Sequence, residues 1–315
     1  MTVRDLLQVS REFKYRHRSL RELNYLMNII VSIIRFMPHR LALSFGRIIG
    51  RLLHLILWEK VNKAEARCVL SLGVGVTISR KIIRDSFVNF GMSIVEFIRL
   101  SKVSLDEAVS FPDESIEFLR TALSRGRGAI LMCQHMANWE YAAARVIHEG
   151  IPLHAIYTPQ RDKRVEALIA SIRQDVSHMS IIDSNTGLRE IFKVLKSGET
   201  LVVMQDLDAR KDGIQSTFLG LPARTHDGIV KLYRKFQCPV ICAEYWRDEK
   251  NPSKHHILLR EILSDKKDIN GRPFGEDIDA SIRMCNEVIE KRIKERPEQW
   301  LWLLDRWEYT LGKKI

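Results

Sequence analysis

The amino-acid sequence predicts an α/β protein, a largely parallel mixed sheet flanked by helices, preceded by a basic helical arm. Three observations point there. From about residue 113 onward, short apolar runs alternate with stretches of helical periodicity, the pattern of parallel strands joined by helical crossovers. The 315 residues are 45% apolar and 28% charged, which is ample for a buried core and unlike a disordered or fibrous chain. The charge is lopsided: residues 1–67 carry 13 Lys and Arg against 5 Asp and Glu, while the remaining residues carry 37 against 34. The chain is therefore expected to divide into a basic amphipathic helical arm, residues 1–67, a candidate for membrane association, and an α/β domain, residues 68–315. A nearly neutral body with a basic arm suits a polyanionic surface, either an anionic membrane or nucleic acid.

The elements follow in order. Met1 opens a charged stretch without the apolar run and small-residue cleavage site of a signal peptide. The longest uncharged stretch of the arm, Leu23 to Ile34, is shorter than the ~20 residues of a spanning helix. Pro38 divides residues 24–58 into two helical pieces. In the second, Leu41, Phe45, Ile48, Ile49, Leu52, Leu53 and Ile56 share one stripe, and Arg40, Arg47, Arg51 and His54 another. Two readings are open: a helix lying in the interface of an anionic bilayer, or a domain-packing helix with solvated arginines. Gly46 and Gly50 form a small-xxx-small pattern, but Arg47 and Arg51 beside them argue against a transmembrane dimer face.

A long helix is predicted over 77–100. Helix 113–124, strand 128–134, helix 138–149, strand 152–157, helix 163–175, strand 179–182, helix 186–197 and strand 200–205 follow. After a loop come helix 226–236, strands 239–245 and 256–262, and a helix near 276–295. Asp265 to Gly275 is the most loop-like stretch. The five cysteines, Cys68, Cys133, Cys238, Cys242 and Cys285, are odd in number and form no C-x-x-C pair. That supports neither a disulfide scaffold nor a zinc finger, and suggests a reducing compartment. His255 and His256 are strand neighbours facing opposite sides, not a ligand pair.

Ligands of parallel sheets gather at the carboxyl ends of strands. Strand 128–134 ends in Gln134, and the chain continues His135-Met136-Ala137-Asn138-Trp139-Glu140. Asn138 is a good N-cap for the next helix. His135 then lies in the strand-to-helix turn, from which its imidazole can fold back towards Glu140. A carboxylate on one ring nitrogen fixes the tautomer and leaves the other nitrogen as a general base. The competing reading is a core histidine bonded to a backbone carbonyl. There is no G-x-S-x-G nucleophile, H-E-x-x-H zinc motif, P-loop or G-x-G-x-x-G fingerprint. The base must then act on a hydroxyl supplied by a substrate, which suggests acyl transfer without an acyl-enzyme and without metal or cofactor.

The block Ile130 to Ala142, with His135, Asn138, Trp139 and Glu140, resembles the H-x-G-N-W-E block of the bacterial lipid A biosynthesis (late) acyltransferases, within the glycerolipid acyltransferase-like superfamily. Asp206-Leu207-Asp208 with Gly213 resembles their D-Q-D…G segment. Phe218 to Thr225 resembles F-F-G-x-P-A-x-T, and Pro297 to Trp302 with Arg306-Trp307 resembles P-E-Q-W-x-W…R-W. The resemblance runs from about residue 24 to 308 and departs at Ala137, where the family has Gly, at Leu207, where it has Gln, and at Leu304-Asp305, where it often has His-Arg. It implies transfer of a fatty acyl chain from acyl-carrier protein, or acyl-coenzyme A, to a hydroxyl of a glycolipid acceptor at the cytoplasmic face of the bacterial inner membrane. It implies His135 as general base with Glu140 as its partner, and Arg173, Asp206 and Asn138 as substrate-binding residues. Arg125, Arg127, Arg161, Lys163 and Arg164 flank the expected mouth and suit an acidic carrier. Alternatives are acylation of phosphatidylinositol mannosides, where Asp usually replaces Glu140, or a non-enzymatic protein binding anionic membranes. With no recognisable RNA or DNA module and a barely basic body, no nucleic-acid partner is expected.

Overall fold

The computed structural model describes residues 28–160, 162–176, 179–184 and 187–312. Long helices come first: α1 over residues 28–36, α2 (His39–Ile56), α3 (Trp58–Leu72) and α4 (Val76–Ile98). Pro38 separates α1 from α2 as its backbone chemistry requires. The short α5 (Leu105–Ala108) and β1 (Val109–Ser110) lead to α6 (Asp113–Leu123). Then come β2 (Ala129–Cys133), α7 (Trp139–His148), β3 (Leu153–Tyr157), α8 (Lys163–Val176), β4 (Ser180–Asp183), α9 (Leu188–Lys196) and β5 (Thr200–Met204). A hairpin of β6 (Ile214–Phe218) and β7 (Leu221–Thr225) follows, then α10 (Gly228–Phe236), β8 (Val240–Cys242), β9 (Glu244–Arg247), β10 (His255–Leu258), α11 (Ile278–Glu295) and α12 (Glu308–Leu311).

Five strands form an all-parallel sheet in the order β4-β3-β5-β2-β8. Every residue of β2 is buried, as expected of a central strand covered by helices on both faces. The predicted α/β class holds, with three local corrections. The strand expected over 239–245 is broken at Ala243: β8 stays in the parallel sheet while β9 pairs antiparallel with β10, and β10 runs parallel to β1 in a second sheet. The strand expected over 256–262 stops at Leu258. The stretch after β5, expected as a loop, contains the β6–β7 hairpin. Its two turn residues, Leu219 and Gly220, both have positive φ (48° and 76°), the geometry a two-residue hairpin loop demands.

In the helical layer the expected apolar stripe is split: only Phe45, Ile49 and Leu53 of it pack against the core from α2. Its buried residues are Ala42, Leu43, Gly46 and Gly50, while Leu41, Ile48, Leu52, Leu55 and Ile56 point outward. The two glycines let the α2 backbone lie directly on α4. A Cβ on Gly46 would stand 2.8 Å from the Met92 Cα, one on Gly50 2.7 Å from the Val88 Cα, and one on Gly91 2.8 Å from the Gly50 Cα. The small-xxx-small motif is thus an intramolecular helix contact. Because backbone faces backbone, Gly50→Val cannot be accommodated by a side-chain shift. It is expected to lower the thermal midpoint by about 5 °C or more, while Leu52→Ala on the outward face leaves it within about 1–2 °C; thermal unfolding of the two variants checks this.

Among the described residues no single helix is long and apolar enough to cross a membrane. The pair α2 and α3 meets that test together but is bent by 91° at its break. The boundary proposed between arm and domain, residue 67, falls inside α3. The buried Arg67 donates to the Gly312 carbonyl at 3.1 Å and lies 3.7 Å from Asp305, tying this layer to the end of the described chain. Arg99 at the end of α4 donates to the carbonyls of Ile34 (2.5 Å) and Arg35 (3.0 Å), satisfying the open end of α1. Residues 1–27 of the predicted arm lie outside the described residues. The five cysteines are buried and unpaired, and His255 and His256 do face opposite ways, to Glu96 and Asp248 respectively.

Candidate active site

Two neighbouring strands deliver the site. β2 and β5 run parallel with Cys133 opposite Met204, and the Gln205 N–H continues the ladder to the Cys133 carbonyl at 2.9 Å. The residues two positions beyond each strand end, His135 and Asp206, therefore leave the sheet side by side. Asp206 Oδ1 lies 2.9 Å from His135 Nδ1, and Asp206 Oδ2 accepts from the His135 backbone N–H at 2.7 Å and from Trp300 Nε1 at 2.9 Å. The His135 side chain is 17% exposed and that of Asp206 only 1%. The carboxylate is thus the hidden member of the pair and the imidazole the reachable one. Burial pushes the Asp206 carboxyl up. The charge of His135 and the hydrogen bonds from His135 and Trp300 more than offset this and hold it below its ordinary value.

The carboxylate on the imidazole is therefore that of Asp206, not the expected Glu140. Glu140 sits in the first turn of α7 and accepts from Arg173 of α8, Oε2 from Nε at 3.2 Å and Oε1 from Nη2 at 2.5 Å. The Arg173 guanidinium lies 4.8 Å from the Tyr157 ring centroid, and the Tyr157 hydroxyl donates to Glu166 at 2.8 Å. Trp139 packs edge-on against the His135 ring, centroids 5.1 Å apart. Asn138, expected to meet substrate, is 3% exposed: its Oδ1 accepts from the Tyr141 N–H at 3.1 Å, capping α7, and its Nδ2 donates to Glu96 at 2.9 Å. Of the basic residues around the mouth, Arg125 pairs with Asp265 and Arg164 with Asp162, and Arg161 lies outside the described residues. All of this assembles one solvent-reachable imidazole with its inner nitrogen on a buried carboxylate, beside the Glu140–Arg173 ion pair.

Comparison with known proteins matches residues 10–309 to the family described as bacterial lipid A biosynthesis acyltransferase. The chain belongs to that family. Among its relatives are a lipid A biosynthesis acyltransferase of Haemophilus influenzae, 24% identical over 192 residues, covering 60% of this chain and 56% of the relative. A lipid A biosynthesis palmitoleoyltransferase of Escherichia coli is 26% identical over 232 residues, covering 72% of each. A phosphatidylinositol mannoside acyltransferase of Mycolicibacterium smegmatis is 25% identical over 158 residues, covering 48% of this chain and 51% of the relative. The chain thus spans little more than half the length of the first of these.

The family's sequence blocks meet around the site. Trp300, Trp302 and Trp307 of the C-terminal block are all buried and form a mutual cluster, with Trp300 and Trp302 centroids 4.7 Å apart. They are core residues, and Trp300 reaches the site through Asp206. Phe218 of the hairpin packs on Trp300 and Trp307, and Arg306 stacks over its ring at 4.8 Å while donating to the Arg224 carbonyl and the Thr225 hydroxyl, both at 2.5 Å. Ala137, where the family has Gly, adopts a left-handed φ of 44°, which explains why Gly suits the position.

Sequence reasoning missed the polar stripe of α4. Ser86, Asn89, Ser93 and Glu96 recur at spacings of three, four and three, one face of a helix. Ser86 donates to the Trp300 carbonyl at 2.5 Å, Asn89 to the Glu298 carbonyl at 3.0 Å and Ser93 to the Ala137 carbonyl at 2.9 Å. The available signal was a polar periodicity interleaved with the apolar one, in the more buried C-terminal half of the helix.

Proposed function

We propose that this protein transfers a fatty acyl chain from a thioester donor, acyl-carrier protein or acyl-coenzyme A, to a hydroxyl of a lipid A precursor, with His135 as the general base. The observation that carries this reading is the His135–Asp206 pair at adjacent strand ends, with the imidazole reachable and the carboxylate buried. Asp206 holds Nδ1 as the donor nitrogen, so Nε2 is the basic one. Nε2 takes the proton of the acceptor hydroxyl, and the oxygen attacks the thioester carbonyl. The tetrahedral intermediate collapses, the C–S bond breaks, and the proton passes from His135 to the leaving sulfur. Arg173, held by Glu140 and Tyr157, supplies positive charge for an acidic head group or for the developing oxyanion. Family membership supports the reaction class, and the names of its relatives support a glycolipid acceptor.

The acceptor resides in a bilayer, and in this reading the protein sits on the cytoplasmic face of the inner membrane. The outward apolar residues of α2, together with Ile29, Ile30, Ile33 and the 81%-exposed Phe36 of α1, lie beside Arg40, Arg47 and Arg51 in sequence. That combination suits the interface of an anionic membrane. The test is to offer purified protein acyl-carrier protein and coenzyme A thioesters with a lipid A precursor or a phosphatidylinositol mannoside, and weigh the products. The reading expects the lipid A precursor to gain the mass of one fatty acid less water. Free fatty acid alone indicates a thioesterase, and an unchanged acceptor with membrane binding indicates a non-enzymatic protein. Gain of mass on the mannoside alone moves the acceptor class.

A further inference from the structure

Behind the histidine turn lies a buried ionic network that the proposed reaction does not consume. Glu96 of α4 is completely buried. Arg247 of β9 donates to its two oxygens at 2.6 and 2.7 Å, and His255 Nε2 lies 3.1 Å from Oε1. Burial drives the Glu96 carboxyl up, but the charges and hydrogen bonds of Arg247 and His255 override it and keep it ionised. A buried carboxylate's remaining lone pairs need further hydrogen bonds, and any neighbouring donor can supply them. Glu96 accepts one from Asn138 Nδ2 at 2.9 Å, reaching into the segment that carries His135.

That segment needs outside support. Ala137 is left-handed, a conformation strained for a residue with a Cβ that persists only where the surroundings impose it. The same network imposes it. The Ala137 N–H donates to the Gln299 carbonyl at 2.8 Å, and its carbonyl accepts from Ser93 at 2.9 Å. Gln299 is fixed on the Arg247 backbone by two bonds, at 2.8 and 3.0 Å, and Arg247 Nη2 donates to Ser93 at 3.1 Å. Glu96, Arg247, Ser93 and Gln299 thus grip residues 137 and 138 from two sides, two positions from the imidazole.

We propose that Glu96, charge-balanced by Arg247, is a positioning residue that acts through Asn138 to hold the left-handed Ala137 turn and so aim His135 at Asp206. The proposal rests on the reading of His135 as the base. It distinguishes two jobs of Asn138, capping α7 and bridging to Glu96. Asn138→Ser keeps a capping oxygen for the Tyr141 N–H but is too short to span to Glu96. In the full-length protein it is expected to lower kcat by about 10- to 100-fold, the cost of a small misplacement of a reacting group. KM for donor and acceptor should stay within about twofold and the thermal midpoint near that of the parent. Adding Asn138→Ser to Glu96→Ala should cause no further loss, because Glu96→Ala already removes the Asn138–Glu96 bond; if Glu96→Ala does not fold, Asn138→Ser alone decides. An Asn138→Ser protein with the parent's kcat, or losses that multiply in the double variant, overturns the proposal. His135→Ala is assayed alongside. If it is inactive while Asn138→Ser is fully active, only the positioning role fails. If it keeps the parent's rate, the reading of the site fails with it.

Discussion

Asp206→Asn will lower the rate of acyl transfer by about 10⁴-fold, the loss seen when the carboxylate behind a general-base histidine becomes an amide. The geometry makes the reason specific. One Asp206 oxygen accepts two donors, the His135 N–H and the Trp300 indole N–H, so the amide oxygen of an asparagine must take that place. Its NH₂ then faces His135 Nδ1. The ring is forced to accept there and to carry its proton on Nε2, where it can no longer serve as a base. Size is unchanged, so the thermal midpoint should move little compared with the rate. Glu140→Gln, by contrast, loosens Arg173 and leaves the imidazole–carboxylate bond in place, so it should raise KM more than it lowers kcat. Steady-state rates of the two variants with one donor and one acceptor separate these effects.

Ile48→Asp with Leu52→Asp will release the protein from anionic vesicles. Both side chains are half exposed on the outward face of α2, so they contribute little to folding. In a bilayer interface only the exposed half of each remains to be buried, worth about 0.8–1.5 kcal/mol, and the pair about 10- to 10²-fold in partitioning. Replacing Arg47 and Arg51 by Gln should weaken binding by about 1 kcal/mol each, and that part should vanish at high salt. Vesicle sedimentation at two salt concentrations measures both. Unchanged sedimentation of the Asp variant would mean that the apolar face of α2 meets something other than lipid.

The alternation of β2 to α9 was readable in the sequence because each crossover is local: a short apolar run, a turn, then an amphipathic helix. His135 was readable for the same reason, as a titratable residue in a strand-to-helix turn. Its partner was not. Glu140 is five residues away and Asp206 is 71, and only the strand order, with β5 placed beside β2, makes the distant carboxylate the neighbour. Strand order is a property of tertiary packing that local patterns do not encode. The β6–β7 hairpin escaped because its turn is Leu219-Gly220 and not an Asn-Gly or Asp-Gly pair, and because Pro222 lies within the second strand. The helical arm escaped in part because amphipathicity alone cannot say which face a helix buries. In α2 the packed face is Ala42, Leu43, Gly46 and Gly50, with Phe45, Ile49 and Leu53 partly buried beside it, while Leu41, Ile48, Leu52, Leu55 and Ile56 lie outside.

The central claim, that His135 deprotonates a lipid hydroxyl for attack on a thioester, is tested most directly by weighing the acceptor after reaction with the parent protein and with His135→Ala, both shown to be folded and vesicle-bound. The account predicts one added acyl chain with the parent and an acceptor of unchanged mass with the variant. Acylation at the parent's rate by His135→Ala would contradict it.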